Sequence, residues 1–217
     1  MTHDEPSTPT LSIPDIRDFD RINAELVALL DQGHRTIVLA GAERQRLLAS
    51  RLVGPWSATI RIEGDCGPEV AAGNDAPGLT IVCQGNVDDG AGARLKAGRL
   101  VVLGNAGDAL GITQAGGEIV VKGNAGHRAG LRQSGGLLVI LGNVGRLASE
   151  RRTGGVFLAW THRLGPHANR GASGGEMGGI DPFAFIGRCE SDARFDAFGR
   201  ETDVWIDWAR QFESESE

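Results

Sequence analysis

A nineteen-residue repeat is the feature that most constrains this chain. Four asparagines follow one another at that spacing, each directly after a glycine: Asn86, Asn105, Asn124 and Asn143. Each unit continues with a short polar stretch, usually a glycine pair, and then an apolar triplet. Self-similarity at a short fixed period is typical of chains that wind or stack. The repeat therefore predicts a solenoid before any local propensity is considered.

The apolar triplets predict short β-strands in a common register. They are Leu100–Val102, Ile119–Val121, Leu138–Ile140 and Phe157–Ala159. Antiparallel hairpins would need alternating strand directions and turns of two to five residues, whereas identical units at constant period favour parallel strands stacked coil upon coil. We therefore predict an all-β fold, a single-stranded parallel β-helix with neighbouring strands about 4.8 Å apart.

The segments on either side of the repeat differ from it in composition. We predict a disordered tail at residues 1–12, an α/β lead-in at 13–56 that caps the first coil, the β-helix at 57–179, and a helical capping or docking tail at 180–217. Within the lead-in, apolar spacing predicts a helix over Asp18–Gln32, a strand over Thr36–Ala40 and a short helix over Arg44–Leu52. The last segment is rich in Phe and Trp, which suits a cap or a docking surface.

Charge and cysteine content exclude several classes of protein. The formal net charge of -6 argues against a surface that follows nucleic-acid phosphates. The cysteines, Cys66, Cys83 and Cys189, include no C-x-x-C pair, so neither a disulfide framework nor a zinc knuckle is indicated. No secretory signal is recognisable in residues 1–12, and no stretch approaches the about 20 apolar residues that cross a bilayer. We expect a soluble, cytoplasmic protein.

The row of asparagines is interpreted as structural rather than ligand-binding. An amide buried at a corner of each coil can donate to, and accept from, the same position in the coils above and below. Such an asparagine ladder would satisfy backbone groups that otherwise lack partners. Recurrent glycines such as Gly107 and Gly111 are expected where the wall bends, either with positive φ or because no β-carbon fits.

Two of the repeat units carry a family resemblance. Gly104–Gly111 and Gly123–Gly130, each followed by Gly-Gly and an apolar triplet, resemble the GXGXG family of β-helix domains. That family includes the carboxy-terminal domain of the glutamate synthase large subunit, the corresponding subunit of N-methylglutamate synthase, and the GXGXG subunit of formylmethanofuran dehydrogenase. The resemblance covers about residues 57–177 and implies right-handed coils.

Two branches of this family share features with the chain. Ile22-Asn23, Glu25-Leu26, the strand at Ile37 and Arg46–Leu48 look like the lead-in of glutamate-synthase-type members. The strict nineteen-residue unit and the coil at Arg146–Arg151 resemble the GXGXG subunit of formylmethanofuran dehydrogenase and its bacterial counterpart in the formyltransferase/hydrolase complex. We favour the second branch.

In both branches the β-helix is implied to be a structural subunit or domain, with the chemistry on its neighbours. The resemblance therefore supplies no catalytic residue and implies no cofactor on this chain, while metal or flavin is expected on partner subunits. The predicted function is a non-catalytic scaffold subunit of a C1-transfer complex, and the alternative is the GXGXG subunit of a glutamate-synthase-like amidotransferase complex. Either way the expected partners are protein subunits of a hetero-oligomeric enzyme, not nucleic acid or a membrane.

A stand-alone esterase is a third hypothesis. Gly171–Gly175 matches the pattern G-x-S-x-G around Ser173. That motif works on a strand-to-helix turn beside an oxyanion hole, with a histidine later in the chain. No histidine follows Ser173, so this hypothesis ranks below the other two.

Metal binding is not predicted. His162 and His167 flank Gly165-Pro166, but no further ligands with zinc-like spacing are evident. Asp88 and Asp89, with Glu63 or Asp65, form an acidic group, yet paired acids on a turn are usually solvated.

Basic residues recur near matching heights of successive coils. They make up a candidate docking face of Arg94, Arg128, Arg132, Arg146, Arg151 and Arg152. Ordinary solvated charge on a glycine-rich wall is the alternative interpretation.

Overall fold

The structure, a computed structural model, describes residues 8–13, 18–159 and 164–179. These residues form one nine-stranded sheet in which the strand order follows the chain order and every pairing is parallel. The strands are β1 (Thr10–Ser12), β2 (Thr36–Ala40), β3 (Ala58–Ile62), β4 (Asp75–Cys83), β5 (Ala97–Val102), β6 (Glu118–Val121), β7 (Leu137–Ile140), β8 (Val156–Ala159) and β9 (Glu176–Gly179). Consecutive parallel strands need one full coil of chain between them. The fold is therefore a β-solenoid, and the predicted all-β parallel β-helix is confirmed.

The nineteen-residue period appears directly in the strand register. Residues nineteen apart pair from β4 to β8, as in Ile81 with Leu100 and Leu138 with Phe157. Between β8 and β9 the spacing is one residue longer, because Phe157 pairs with Met177. A second row of parallel bridges links successive coils away from the strands, through Cys66, Val87, Ala106, Ala125, Val144 and Leu164.

Inward-facing side chains fill the solenoid with one continuous aliphatic core. In β6, Ile119 and Val121 point inward and have no exposed surface. Phe157 is an aromatic member of this core and is likewise fully buried. Because inward residues of successive strands stack in register, each coil buries its apolar face only against its neighbours, which is the logic of repeat proteins.

Glycines are required at two kinds of position in each coil. Gly111 has a φ of 60°, and a β-carbon there would lie 2.5 Å from Leu138 Cδ1 of the sheet. At Gly126 no positive φ is recorded, but a β-carbon would lie 2.9 Å from the backbone nitrogen of Asp108. Close approach between coils is therefore as important as backbone conformation.

The lead-in contains the predicted first helix, α1 (Phe19–Asp31). The Asp18 carboxylate caps it by accepting hydrogen bonds from the Asp20 and Arg21 backbone N–H groups at 3.0 and 3.4 Å. Ile22, Leu26 and Leu30 form its buried face and belong to the core. The helix thus packs against the apolar interior of the solenoid.

The solenoid begins earlier than the sequence predicts. Strand β2 pairs in parallel with β3, and β1 pairs with β2 through Leu11 and Leu39. Thr10–Ser12 is therefore a rung of the sheet, although the sequence predicts disorder up to residue 12. The polar, proline-containing composition of this segment does not predict a strand, because the strand is stabilised by its pairing with β2.

The predicted helix over Arg44–Leu52 is wrong. Leu47, Ala49 and Arg51 instead have φ of 57°, 47° and 59°, so every second residue is left-handed. No α-helix accommodates this pattern. The backbone N–H groups of Leu47 and Arg51 donate to the Pro68 and Ala72 carbonyls of the next coil. Three alternating left-handed positions recur in later coils, for example at Arg128, Gly130 and Arg132. We call the segment of each coil that holds these three positions the left-handed corner.

The predicted helical tail lies outside the described residues.

Substituting Gly135 with Ala tests the close contact between coils. An added β-carbon would overlap the Ala115 carbonyl oxygen of the preceding coil, and backbone atoms cannot move aside as a flexible side chain can. We expect the free energy of unfolding to fall by about 1–3 kcal/mol, measured by urea denaturation. The control is Ala115→Ser, at the exposed position where the next coil carries Ser134, with an expected change within about 0.5 kcal/mol. Equal stability of the two variants would contradict the contact.

Candidate protein interface

The asparagine ladder runs along the outside of one corner. The backbone N–H and the side-chain Nδ2 of Asn105 both donate to Asn86 Oδ1, at 2.9 and 3.1 Å. Asn124 makes the same pair of bonds to Asn105, and the Asn143 N–H donates to Asn124 Oδ1. These side chains are exposed, so the prediction that they are buried is wrong. They face outward because the corner turns them away from the core, and the ladder still satisfies one backbone N–H per coil.

Asp65 begins this ladder. Its Oδ1 accepts from the Asn86 backbone N–H at 2.7 Å and from Asn86 Nδ2 at 3.1 Å. An aspartate suffices there because the first rung only has to accept hydrogen bonds. This carboxylate, which the sequence groups with possible cation ligands, is therefore a structural group.

A second ladder, which sequence reasoning misses, lies three residues further along each unit. The Asp108 N–H donates to Asp89 Oδ1 at 2.8 Å, and the His127 N–H donates to Asp108 Oδ1 at 2.7 Å. The Arg146 N–H then donates to His127 Nδ1 at 2.9 Å. Because Nδ1 accepts, a neutral His127 carries its proton on Nε2. The available signal was a side-chain acceptor at constant spacing, concealed by the change from Asp to His.

A third ladder is buried. Gln114 and Gln133 have no exposed surface. Gln133 Nε2 lies 3.3 Å from Gln114 Oε1 and 3.2–3.3 Å from the carbonyl oxygens of Gly135, Gly136 and Val156. The amide thus donates to carbonyls at the bend that leads into the strand. Unmet backbone acceptors in an apolar core are costly, so these glutamines are structural.

Arg152 occupies the next position of the buried column, nineteen residues after Gln133. Its side chain is inside the solenoid at 2% exposure, with Nε donating to Ser149 Oγ at 2.8 Å and Nη2 to Asn169 Oδ1 at 3.2 Å. Burial lowers the pKa of Arg152, an effect that Glu176 opposes. Including Arg152 in the docking face is therefore wrong. The period places it in the glutamine column, and the replacement of the corner glycine by Ser149 supplies its acceptor.

Four exposed arginines share one position, the last residue of the left-handed corner. We call this set the arginine column: Arg51, Arg94, Arg132 and Arg151. All four side chains are exposed, and their φ values are 59°, 58°, 56° and 53°. Gly73, Thr113 and Gly171 hold the same position in the remaining coils. Since Arg132 and Arg151 belong to consecutive coils, their backbones are about 4.8 Å apart.

Arginine is an unfavourable residue for this backbone. The left-handed conformation costs a residue with a β-carbon roughly 1–2 kcal/mol, and Gly73 and Gly171 show that the position accepts glycine. Arg94 is paired with Glu69 at 3.0 Å. Arg132 and Arg151 form no ion pair with any residue that the structure describes. Two adjacent exposed guanidinium groups are thus available for carboxylates, which arginine binds through two parallel hydrogen bonds.

The other two predicted docking residues lie at the opposite edge of the corner. Arg128 holds its first left-handed position, with a φ of 61°, and its N–H donates to the Arg146 carbonyl of the next coil at 2.9 Å. Both side chains are exposed. The candidate docking face is therefore two basic edges separated by the width of the corner.

The outer face of the sheet changes character along the solenoid. Toward β2–β6 it carries a groove of about 760 Å³, whose lining includes Arg61, Arg99 and Glu118. Arg99 donates to Glu118 Oε2 from Nε and Nη2 at 2.8 and 2.6 Å. From β4 to β8 the same face also carries apolar side chains, and Val101 belongs to the lining of the groove as well. Its second hydrophobic cluster comprises Val82, Val101, Val120, Val139 and Leu141, flanked by Leu103, Leu137 and Leu158.

Ser173 does not form a nucleophile elbow. It is exposed and lies just before β9, so the chain proceeds from this serine into a strand and not from a strand into a helix. Its N–H donates to the Arg152 carbonyl at 2.9 Å, continuing the coil-to-coil bonding. The sequence match therefore reflects the glycine pair of the repeat.

The residues considered for metal binding are placed apart or otherwise engaged. Asp88 is paired with Arg44, with Nε and Oδ2 at 3.2 Å, while Asp65 and Asp89 accept ladder hydrogen bonds. His167 is exposed at a left-handed position, and His162 lies outside the described residues. Across residues 8–13, 18–159 and 164–179, no group of three or more His, Cys, Asp and Glu is arranged to hold a metal ion.

Cys66 and Cys83 are free and buried in the core. A hydrogen bond with Cys66 and burial together raise the pKa of Cys83 well above its usual value. The thiolate, which is the reactive form of cysteine, is therefore disfavoured at neutral pH. Cys189 lies outside the described residues.

The fold defines the chain as a parallel β-solenoid protein. Comparison with protein-family models, characterised proteins and solved structures finds no match. Within the described residues, no helix has the length and apolar character needed to span a membrane. The likeness to the GXGXG family thus depends on the sequence motif alone.

The buried and exposed ladders predict unequal costs of mutation. In Gln133→Leu, Gln114 Oε1 and the carbonyls of Gly135, Gly136 and Val156 lose a donor that water does not replace, so we expect a loss of about 2–4 kcal/mol in the free energy of unfolding. In Asn124→Ala, water can bond to the exposed groups, so about 0.5–1 kcal/mol is expected. Urea denaturation of both variants checks the order. A larger loss for Asn124→Ala would refute the burial-based ranking.

Proposed function

We propose that this chain is a non-catalytic scaffold subunit of a multi-subunit C1-transfer complex, resembling the GXGXG subunit of formylmethanofuran dehydrogenase or of the formyltransferase/hydrolase complex. The observation that carries the proposal is the arginine column. It is a charged row held at strained backbone positions where glycine would serve the fold equally well. Because the fold does not require arginine at these positions, we attribute these arginines to binding of a partner.

The distribution of polar side chains supports the same function. Asp65, Asp89, Asp108 and His127 are the types of residue that could perform chemistry, but each accepts a backbone hydrogen bond from the next coil. Their geometry serves stacking of the coils. Catalysis in the proposed complex belongs to the neighbouring subunits, which would also hold any metal or flavin.

The column sets a geometric requirement on the partner. Arg94 and Arg151 are three coils apart, which corresponds to about 14 Å along the axis. A partner surface with carboxylates spaced over that distance would pair with Arg132 and Arg151 and compete with Glu69 for Arg94. Planar guanidinium groups in a row favour such a fixed arrangement over a diffuse negative field.

The glutamate-synthase-like alternative is favoured by one feature. Residues that resemble the lead-in of that branch, Ile22-Asn23, Glu25-Leu26 and Ile37, lie in helix Phe19–Asp31 and strand Thr36–Ala40. In that case the solenoid would connect glutamine amidotransferase and flavin domains supplied by other subunits. Ser173 leads into strand β9 and not into a helix, so the geometry does not support the esterase hypothesis.

Purification of the complex from the native cell separates the two leading functions. Affinity capture of the full chain, followed by mass spectrometry, should recover an amidohydrolase-like or pterin-type subunit in fixed stoichiometry if the first proposal is correct. Recovery of a flavin-type synthase and an amidotransferase instead would favour the alternative. A chain that migrates alone at native concentration, and turns over a substrate without partners, would refute both.

Substitution of the column by glycine tests the docking surface. Arg132→Gly combined with Arg151→Gly removes both charges and relieves the left-handed strain, so the free energy of unfolding should stay the same or rise by up to about 1 kcal/mol per site. Assembly with the captured partner, measured by size-exclusion chromatography, should weaken at least tenfold.

The matched control is Arg152→Gln. It also removes an arginine charge, but from inside the solenoid, where glutamine is the residue of the two preceding coils. We expect assembly to be unchanged in this variant. If the glycine double variant assembles as well as the control, the arginine column is not the docking surface.

A further inference from the structure

The outer apolar face of the sheet is buried to an unexpected degree. Val120 and Val139 have no exposed surface, Val82 has 1%, and Val101 and Leu141 have 3%. These side chains form a cluster separate from the interior core. They alternate with the inward residues of their strands and therefore point away from the solenoid. Neighbouring strands shield the sides of such residues but not their tips.

The described elements do not account for this burial. The extensive contacts of each strand are with the preceding and following strands of the sheet. Helix α1 directs Ile22, Leu26 and Leu30 into the interior core. Among the described residues, no helix or strand is thus placed over the valine rows.

The course of the chain indicates what covers this face. Strand β9 is the last strand among the described residues, and Gly178 pairs there with Leu158, which flanks the apolar cluster. Residues 180–217 follow this strand directly in the sequence. They carry most of the aromatic residues of an aromatic-poor chain, namely Phe183, Phe185, Phe195, Phe198, Trp205, Trp208 and Phe212.

We propose that residues 180–217 of the same chain fold back over the outer face and cover the rows formed by Val82, Val101, Val120 and Val139. A segment attached at the edge of the face has a high effective concentration there, so it occupies the surface ahead of any free partner. This inference is independent of the proposed scaffold function, because it concerns a different surface from the arginine column.

The charges of residues 180–217 support the same proposal. The chain ends in Glu213, Glu215 and Glu217. The groove on this face is lined by the basic residues Arg35, Arg61, Lys96 and Arg99 and by one acid, Glu118. Lys96 is paired with Asp75 at 3.9 Å, and Arg61 and Arg99 also have interaction partners. A segment that carries aromatic residues throughout and acidic residues at its end thus matches a face that has both an apolar cluster and a basic groove.

Site-specific photo-cross-linking in the full chain tests this inference. Leu137→p-benzoylphenylalanine places the probe at a half-buried position that flanks the valine rows. After irradiation, digestion and mass spectrometry, we expect cross-links from position 137 to peptides of residues 180–217, in protein that migrates as a monomer under denaturing conditions. The same probe at Arg132 is the control, and its yield to that segment should be at least tenfold lower.

A second probe position keeps the test decisive if the first variant folds poorly. Leu103 flanks the same cluster, and Leu103→p-benzoylphenylalanine should give the same cross-linked segment. Adding Trp205→Ala and Trp208→Ala should reduce the yield at both positions severalfold. Cross-links to a second copy at dimer mass, or yields no higher than the Arg132 control at both positions, would overturn the inference.

Discussion

Hydrogen bonding between coils, in parallel register, is the constraint on which the rest of this molecule depends. At the left-handed corner, alternate backbone N–H groups donate to the coil above or below, as Arg132 does to Glu150 and Ser149 to Ala129. The groups between them donate within the coil, as Gln133 does to Gly130. Coils can approach this closely only where no β-carbon intervenes. Glycine therefore recurs at the contact points, such as Gly123, where a β-carbon would lie 2.6 Å from the Gly104 carbonyl oxygen.

The same constraint explains why residue types at a ladder position vary while their chemistry does not. The asparagine ladder begins on Asp65, because a first rung needs only an acceptor. In the second ladder His127 replaces an aspartate, because Nδ1 also accepts. In the buried column Arg152 replaces glutamine, and Ser149 and Asn169 supply the acceptors that a guanidinium requires. A function that needed any of these side chains free would compete with the stacking of coils.

Surface features that the solenoid does not require are therefore the informative ones for function. Arg132 and Arg151 of the arginine column form no ion pair with a described residue and hold strained backbone positions, which is why we connect the column to a partner. The outer apolar face likewise exceeds what a stack of coils needs, since a solenoid buries its core without it. The two surfaces lie on different sides of the coil, so a contact on the outer face of the sheet would not compete with a contact at the corner.

The architecture follows from the amino-acid sequence alone, because a period of nineteen residues sets the register of every strand from Ile81 to Phe157 and aligns the asparagines. Helix Phe19–Asp31 follows from it too, since its cap and apolar spacing are local. The folded chain was needed to show that Thr10–Ser12 is a rung, that Arg44–Leu52 is a left-handed corner, that the asparagines face solvent and that Arg152 faces the core. In each case the deciding interaction is with another coil, about twenty or more residues away. Local propensity carries no information about hydrogen bonds to, or burial against, residues so distant in the sequence.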